Sequence, residues 1–364
     1  MAVATDRATL TGRLRVRPLT RRPTVSVVIP CYRYGHYLPS AVASVLTQPD
    51  VDVDIVVVDD ASPDDSADVA RALARSDPRV HVMVHERNRG HIATYNDGLA
   101  RATGDYVVLL SADDLLTPGA LSRATALLEA HPTVGFAYGH PLELIDVAPV
   151  AATTARDWTV WTGHDWLERR CRKGSNCIFC PEVVMRRSVQ EDIGGYDPAL
   201  PHSGDLEMWL RAAAFADVGR VNGADQAYYR IHAQSMQRTV YAGHLRDLEE
   251  RQAAFASVLV GATSGVDDGA GLYRLACRAL AASALDHVAA AADAGNAAEE
   301  PIEDYLAFAF ELDPGVGSSA RWRAVHRRLA RSDRAGHAVG AGARRVRRDL
   351  VDRLRWRRWR RSGV

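Results

Sequence analysis

The stretch YVVLLSADDLLTPGAL, residues 106–121, joins an apolar run to two adjacent acids. The run from Tyr106 to Leu110 is typical of a buried strand, and Asp113 and Asp114 follow it closely. Two carboxylates side by side repel each other, so their position after a buried strand requires a positive partner. The stretch therefore predicts a strand whose carboxyl end carries a cation site. A solvated acidic turn before the next helix is the alternative.

Similar apolar runs lie on both sides of this stretch. They are rich in β-branched residues, alternate with segments of helical spacing, and cover residues 24–29, 53–60, 79–85, 105–110 and 134–140. Alternating strands and helices predict a Rossmann-like α/β fold with a mainly parallel sheet. Ligands of such sheets bind beyond the carboxyl ends of the strands. The acids Asp59 and Asp60, which end the second run, are therefore expected at the same edge as the pair at 113–114.

The last third of the chain has a different pattern. From residue 241 onward it is rich in Ala, Arg and Leu at helical spacing, with breaks near 261–271, 295–301 and 314–317. We therefore predict three parts: a basic N-terminal arm (1–22), an α/β domain (23–240), and a helical C-terminal region (241–364) that ends in an Arg- and Trp-rich tail.

The bulk composition is that of a soluble globular protein. The 364 residues are 47% hydrophobic and 25% charged, with zero formal net charge. No apolar run approaches the ~18 residues of a membrane span, and the first residues contain no apolar signal-peptide core. Five cysteines, an odd number in a chain of this length, favour a reducing compartment. We expect a cytoplasmic protein.

The C-terminal tail is strongly basic. Residues 317–364 contain sixteen Arg against three Asp, and Trp356 and Trp359 lie among the last arginines. This pattern is typical of an interfacial helix on anionic lipid, and a solvated tail is the alternative. A basic patch alone is weak support for nucleic-acid binding, which we do not expect. The tail predicts peripheral contact with the inner face of the membrane.

The ends of the first two strands predict a nucleotide site. Neither a G-x-G-x-x-G fingerprint nor a P-loop follows the first strand, so a nucleotide binds by another route. An ionised Asp60 only accepts hydrogen bonds, so it can accept the N3–H of a uracil-like base. Tyr32 offers an aromatic face to that base. Alternatively, an acid of this pair caps the next helix.

Two further acidic positions point to metal and proton chemistry. Asp113 and Asp114 suit Mg²⁺ or Mn²⁺, which bind one or two carboxylates plus substrate phosphates. Asp205 falls in the first turn of a predicted helix, where the helix dipole favours an anion. It therefore either stabilises the helix or acts as a general base.

Five motifs appear in an order typical of one enzyme family. They are VSVVIPCYRYGHYL (25–38), VVVDDASPD (56–64), NRGHIATYNDGLARATGDYVVLLSADD (88–114), GGYDPALPHSGDLEMWLR (194–211) and YYRIHAQSM (228–236). Together they resemble the family-2 glycosyltransferases, and the resemblance covers residues 23–240. It implies a GT-A fold and an inverting transfer of a sugar from a nucleoside diphosphate to an acceptor hydroxyl.

The resemblance also implies a role for each matching residue. Asp205 matches the catalytic base of the family. The donor-binding residues it implies are Pro30, Tyr32, Asp60, Asn88, Asn96 and Asp113, and the metal ligands are Asp113, Asp114 and His232. The metal is expected to be Mn²⁺ or Mg²⁺. A structural role is the alternative for His232.

Three positions depart from the family pattern. Ser111 stands where the acidic motif usually begins with another Asp, Gly204 where the base usually follows a Glu, and Tyr95 where an Arg is common. The first two leave a nucleotide- or glycan-binding module without catalysis as an alternative. A nucleotidyltransferase is a second alternative, although it would normally carry a Gly-rich basic loop after its first strand.

The expected partners are a nucleotide sugar and an acceptor. A UDP-sugar is favoured, a dTDP-sugar offers the same N3–H, and a GDP-sugar stays open. The acceptor is a glycan, a lipid-linked molecule or a small molecule. It is expected over Trp158, Trp161 and Trp166, whose faces suit sugar rings, although these residues suit a core equally well.

Overall fold

The computed structural model describes residues 12–232, 243–261 and 265–332, with positions 359 and 363. Its strands are β1 (Gly12–Leu14), β2 (Thr24–Cys31), β3 (Asp52–Asp59), β4 (Val80–Val84), β5 (Tyr106–Leu109), β6 (Leu115–Leu116), β7 (Val134–Tyr138), β8 (Pro141–Leu144), β9 (Asp157–Trp161), β10 (Val184–Arg186), β11 (Asp217–Asn222) and β12 (Ala227–Arg230). Its helices are α1 (Leu38–Leu46), α2 (Ser66–Ser76), α3 (His91–Leu99), α4 (Ala120–Ala130), α5 (Gly163–Lys173), α6 (Arg187–Ile193), α7 (Gly204–Phe215), α8 (His244–Val260), α9 (Gly269–Ala294), α10 (Ile302–Leu312) and α11 (Ala320–Ser332).

The chain divides into two compact units. Among the described residues, the first unit contains those up to Trp166 and from Cys177 to 232, and the second contains Leu167–Asn176 and those from 243 onward. The division falls close to the predicted boundary at residue 240. The segment Leu167–Asn176, the end of α5, was predicted in the first part and belongs to the second unit.

The main sheet of the first unit has the strand order β1-β9-β11-β7-β10-β5-β2-β3-β4. From β5 to β4 every pairing is parallel, with a helix between successive strands. Beyond β5 the sheet is mixed, because β10 runs antiparallel to both β5 and β7. The α/β fold is confirmed, with its parallel pairings concentrated in the half that the apolar runs predicted.

The strand order places a topological switch between β2 and β5. From β2 the chain adds β3 and β4 on one side and then returns to pair β5 with the other side of β2. Crevices form at such a switch beyond the carboxyl ends of the strands. Tyr32 follows β2 there, and the segment 111–114 follows β5.

Helices cover both faces of the parallel strands. Val27 and Ile29 of β2 share a buried apolar cluster with Leu38 and Val42 of α1. The opposite face of β2 meets α3 at Gly98, where an added Cβ would lie 2.3 Å from Cγ1 of Val28. Only glycine permits this approach, so Gly98 sets the distance between α3 and the sheet.

The prediction that residues 1–22 form a separate basic arm is partly wrong. Gly12–Leu14 forms the edge strand β1, antiparallel to β9, and Leu14, Val16 and Leu19 pack against the core. Arginines alternate with apolar residues in GRLRVR, so one face can pack while the other stays in water. Residues 1–11 lie outside the described part of the chain.

The second unit is helical, as predicted. Helix α9 packs against α8, α10 and α11, and the breaks between these helices fall at the predicted positions. Within the described part of the chain, α9 alone is long and apolar enough to cross a membrane, although no single apolar run is that long. Of its apolar window, 56% is buried, as in the core helix of a bundle. The basic tail begins in α11, and beyond Ser332 it lies outside the described residues, apart from positions 359 and 363.

Candidate active site

The carboxylate of Asp60 is buried at the end of β3 and accepts three hydrogen bonds. Its Oδ1 accepts from Nδ1 of His85 at 2.7 Å and from the backbone N–H of Arg89 at 2.8 Å, and its Oδ2 from the N–H of Gly90 at 2.9 Å. The imidazole must donate, because an ionised carboxylate only accepts. Helix α2 begins at Ser66, so the helix-capping alternative for Asp60 is wrong.

His85 is a member of this site that the sequence did not reveal. Its ring lies between two carboxylates, with Nε2 3.1 Å from Oδ2 of Asp97 on α3. Asn88 lies in the adjacent turn and accepts the N–H of Gly90 at 3.1 Å. Asn88 thus braces the turn that holds Asp60. The buried imidazole of His85, held between two carboxylates, fixes the orientation of the Asp60 side chain.

The residues flanking Asp60 in the sheet differ in exposure. Tyr32, just beyond β2, has 43% of its surface exposed, so its ring is free to stack on a ligand. Pro30 of β2 lies opposite Val58 of β3 in the parallel register. The donor-binding roles of Pro30, Tyr32 and Asp60 stay predictions, with an exposed aromatic ring and a buried carboxylate to support them.

The acidic pair after β5 meets residues from the end of β12. Oδ1 of Asp114 accepts the backbone N–H of Arg230 at 2.8 Å, and Nε of Arg230 donates to the carbonyl of Asp113 at 2.7 Å. Oδ2 of Asp113 lies 2.9 Å from Nε2 of His232. Strand β12 pairs with β6, which directly follows the acids, and this pairing brings the two segments together.

The electrostatics of this pair explain why it needs a positive partner. Asp114 is only 1% exposed, and burial, with the neighbouring charge of Asp113, raises its pKa well above the usual value. The guanidinium of Arg230 lies 4.6 Å from the ring centroid of Tyr37, within cation–π range. Arg230 belongs to the motif at 228–236, but the motif did not identify it as a site residue.

The donor set at Asp113, Asp114 and His232 has the chemistry of a divalent-cation site. Carboxylate oxygens suit Mg²⁺ and Mn²⁺, and an imidazole suits transition metals. Among the described residues, however, no group of three His, Cys, Asp or Glu side chains is arranged to hold a metal by itself. The metal role of these three residues therefore stays a prediction that rests on the kind of donors they offer.

Asp205 lies in the first turn of α7 as a half-buried carboxyl. Its Oδ1 accepts the hydroxyl of Tyr196 at 3.1 Å, and the thiol of Cys180 lies beside both groups. Burial raises the pKa of Asp205 to about 6, against the opposing effect of these two hydrogen bonds. A carboxylate that titrates near neutrality is suited to accept a proton.

Asn96 contacts the backbone near this base. Its Nδ2 donates to the carbonyl of Tyr196 at 2.9 Å, and its Oδ1 accepts the N–H of Tyr196 at 2.7 Å. Both ends of the amide are thus engaged by one residue. The predicted donor-binding role of Asn96 is revised, because its amide is bonded to the segment that precedes Asp205. Tyr196 is a further site residue that sequence reasoning missed.

The acceptor prediction for the tryptophans is wrong. Trp158, Trp161 and Trp166 are 0%, 4% and 0% exposed, so they present no face to a sugar. Trp161 stacks on Tyr138, and Trp166 packs edge-on against Phe136. Burial of large aromatic surface is a strong driving force, and here it places all three in the core.

Comparisons with known proteins identify the family of the chain. The sequence model described as "Glycosyl transferase family 2" matches residues 26–193, a range that ends before Asp205. An uncharacterized glycosyltransferase of Nostoc sp. (strain PCC 7120) is 31% identical over 210 residues, which are 57% of this chain and 65% of the relative. The succinoglycan biosynthesis protein ExoO of Rhizobium meliloti (strain 1021) is 38% identical over 241 residues, 64% of this chain and 68% of the relative. The chain thus spans just under two thirds of the first relative.

Solved structures share the fold. Residues 1–349 of S. aureus TarS, in complex with UDP-GlcNAc, align with a TM-score of 0.60 and 16% identity, over 85% of this chain and 89% of that one. The mannosyltransferase PcManGT of Pyrobaculum calidifontis, in complex with GDP-Man and Mn²⁺, aligns with a TM-score of 0.52 and 20% identity, over 88% and 89%.

The fold is that of the GT-A class. The chain belongs to glycosyltransferase family 2.

Proposed function

We propose that this enzyme transfers a sugar from a pyrimidine nucleoside-diphosphate sugar to an acceptor hydroxyl with inversion, and that Asp205 is the general base. The observation that carries the proposal is the half-buried carboxyl of Asp205, whose pKa is raised to about 6 by burial. It lies in the same unit as the carboxylates proposed for the nucleotide and the metal.

The proposed step is a single in-line displacement. The acceptor oxygen attacks the anomeric carbon while its proton passes to the carboxylate of Asp205. The bond from the anomeric carbon to the diphosphate oxygen breaks, and its electron pair leaves with the nucleoside diphosphate. General-base assistance of this kind contributes roughly 10²–10⁴-fold to the rate. Asp205 must be ionised, so activity should fall as the pH drops through about 6.

Asp60 and Tyr32 are proposed to recognise the base of the donor. A carboxylate has about four acceptor positions, and His85, Arg89 and Gly90 occupy three of them at Asp60. The remaining position suits the N3–H of uracil or thymine, while the exposed ring of Tyr32 suits stacking. UDP- and dTDP-sugars are therefore the proposed donors, and TarS, which shares the fold, binds UDP-GlcNAc.

Asp113, Asp114 and His232 are the residues proposed to hold Mn²⁺ or Mg²⁺. When bound, the ion supplies electrostatic stabilisation of the charge on the leaving diphosphate. The backbone N–H of Arg230 keeps Oδ1 of Asp114 fixed, and the imidazole of His232 faces Oδ2 of Asp113. These contacts fix the position of the two neighbouring carboxylates.

The acceptor is proposed to be a growing glycan, free or lipid-linked. ExoO is named for succinoglycan biosynthesis, which supports a saccharide acceptor in a related chain. A cytoplasmic location, with the basic tail against the inner face of the membrane, would bring the enzyme to a lipid-linked acceptor. The support for this membrane contact is the composition of the tail alone.

A donor screen with a base variant tests the proposal. UDP-, dTDP- and GDP-sugars are incubated with the enzyme and Mn²⁺ or chelator, and sugar release, transfer and pyrophosphate are measured. Asp205→Asn should lower turnover by roughly 10²–10⁴-fold while the donor Kd stays within about twofold. NMR of the product should show the inverted anomer.

Asp165 offers a matched control, because it is a half-buried acid in the first turn of α5. Asp165→Asn should leave turnover unchanged. Equal turnover by Asp205→Asn and the parent would refute the base assignment. In a parallel assay with a nucleoside triphosphate and a sugar 1-phosphate, pyrophosphate release would identify a nucleotidyltransferase. Donor binding without any turnover would identify a silent binding module.

A further inference from the structure

The segment before α7 is clasped by a side chain 100 residues away in sequence. The amide of Asn96 on α3 makes two hydrogen bonds to the backbone of Tyr196, one to its N–H and one to its carbonyl. This is the pattern by which one strand residue pairs with another. It fixes the backbone of Tyr196, since two bonds from one planar group leave little rotation.

The same segment is held from the other side by α7. The guanidinium of Arg211 donates to the carbonyls of Ile193 and Gly195, and its Nε is 2.7 Å from Oε1 of Glu207. Gly195 lies so close to Asn96 that an added Cβ would be 2.4 Å from Oδ1 of Asn96. The position of Tyr196 is therefore set by contacts from two helices.

The side chain of Tyr196 contacts Asp205, so the fixed position of Tyr196 also restricts the carboxylate of Asp205. Its ring packs edge-on against Tyr95, with centroids 5.3 Å apart, and its hydroxyl is 3.1 Å from Oδ1 of Asp205. Burial raises the pKa of Tyr196 well above the usual value, so the hydroxyl keeps its proton and donates it to the carboxylate. The hydroxyl of Tyr196 thus holds Oδ1 of Asp205.

We propose that Tyr196, fixed by Asn96, is the positioning residue that orients the carboxylate of Asp205 and keeps it ionised for proton transfer. The inference rests on the proposed role of Asp205 as base. Gly204 permits the arrangement, because a Cβ at this position would lie 3.2 Å from the ring of Tyr196. Any other side chain before Asp205 would place its Cβ in tight contact with this ring.

Tyr196→Phe tests the hydroxyl while it keeps the ring. Loss of a hydrogen bond to the ionised form should move the acid limb of the kcat profile upward by about one pH unit. At pH 5, below both midpoints, kcat should fall about tenfold, with the donor KM within about twofold. An acid limb at the parental pH would overturn the proposal.

Tyr106→Phe is the matched control. Tyr106 is a buried tyrosine of the same unit, and its hydroxyl donates to Oε1 of Glu129 at 2.7 Å. The control removes the same group from the same kind of partner, so it reports loss of stability without a change at Asp205. Its acid limb should coincide with that of the parent. An equal shift in both variants would assign the effect to general destabilisation and overturn the proposal.

A direct titration separates this inference from the proposed function. The carboxyl carbon of Asp205 is followed by ¹³C NMR across pH in the parent and in Tyr196→Phe, and its signal is assigned by its loss in Asp205→Asn. A higher titration midpoint in Tyr196→Phe supports the inference even if no nucleotide sugar is turned over. An unchanged midpoint overturns it, whatever the donor screen shows.

The contribution of Asn96 is tested by a double-mutant cycle. Asn96→Ala should lower kcat about three- to tenfold in the parent and less than about 1.5-fold in Tyr196→Phe, because Asn96 acts through Tyr196. The alternative is that Asn96 binds the donor. In that case Asn96→Ala would raise the donor KM equally in both backgrounds, and the role of Asn96 proposed here would be wrong.

Discussion

Two carboxylates of the first unit, Asp60 and Asp205, differ in how many donors surround them. Asp60 accepts hydrogen bonds from an imidazole and from two backbone N–H groups. Among the described residues, Asp205 accepts hydrogen bonds from only two side chains, Tyr196 and Cys180, and burial raises its pKa to about 6. A carboxylate surrounded by donors is suited to fixed recognition. A carboxylate with few donors in an enclosed position is suited to exchange a proton.

This difference teaches that the same side chain acquires separate roles from its local donors. In the sequence, Asp60 follows a predicted strand and Asp205 lies at the start of a predicted helix. Nothing else in their local sequence distinguishes the two acids. What separates them is the turn at 88–90, which supplies N–H groups to one, and the single hydroxyl of Tyr196, which serves the other. Each prediction below changes the donors of one acid and leaves the other acid in place.

Removal of the charge at Asp60 should have the largest effect on donor binding. In Asp60→Asn an NH₂ group must face one of its present N–H donors, so the site loses two favourable contacts. The Kd for UDP or dTDP should rise roughly 10–100-fold, with little change in the acid limb of kcat. Calorimetry measures the Kd. Asp52→Asn, at the exposed start of the same strand, is the control and should bind as the parent does.

Substitutions at His85 should have an intermediate effect. Asn places an N–H donor where Nδ1 of His85 now donates to Asp60, whereas Gln reaches toward Asp97 instead. We expect His85→Gln to raise the donor KM about tenfold and His85→Asn to stay within about threefold. Steady-state kinetics on the identified donor measures both. A reversed order would mean that Asp97, and not Asp60, is the partner that matters.

The raised pKa of Asp205 should lower the stability of the folded protein. The folded carboxyl binds its proton up to about pH 6, whereas the unfolded one releases it near the ordinary value of 3.8. The loss of folding stability is therefore complete above about pH 6 and disappears below about pH 4. Asp205→Asn should be more stable by about 1–2 kcal/mol at pH 8, after allowance for partial exposure, and equal to the parent at pH 4. Urea unfolding at both pH values measures it, and a gain that persists at pH 4 would contradict the explanation.

A methyl group at Gly204 should produce the smallest effect. The added carbon would lie 3.2 Å from the ring of Tyr196, so the ring must shift by a few tenths of an ångström. Gly204→Ala should lower kcat about threefold and move the acid limb in the same direction as Tyr196→Phe, by less. Donor affinity should be unaffected. If Gly204→Ala weakens the donor instead, the two carboxylate sites are not separable.

The parts of the fold that the sequence predicts are those with local periodicity. The apolar runs identify β2 to β5 and β7, and the helical spacing identifies the second unit with its breaks. The acids at strand ends follow directly, because carboxyl ends of parallel strands share an edge. The alternation of Arg and apolar residues in GRLRVR also fits the edge strand β1, although the arginines suggested a basic arm.

The parts that local patterns miss are long-range pairings. Strand β10 is three residues long, too short for a period, and it still reverses the direction of the sheet beside β5. Asn96 and Tyr196 are 100 residues apart, so no spacing rule joins them. The tryptophans were ambiguous for another reason, because the same aromatic surface suits a sugar or a core and only tertiary packing decides.

Helix α3 has one further consequence for the enzyme, since neighbouring residues on it serve both carboxylates. Asn96 contacts the residue that holds Asp205, and Asp97 contacts the residue that holds Asp60. Gly98, the next residue, rests against Val28 and sets the height of the helix above the sheet. The positions of the two carboxylates therefore both depend on one short helix. A bulkier residue at position 98 would push α3 away from the sheet and so displace the contacts of Asp60 and of Asp205 together.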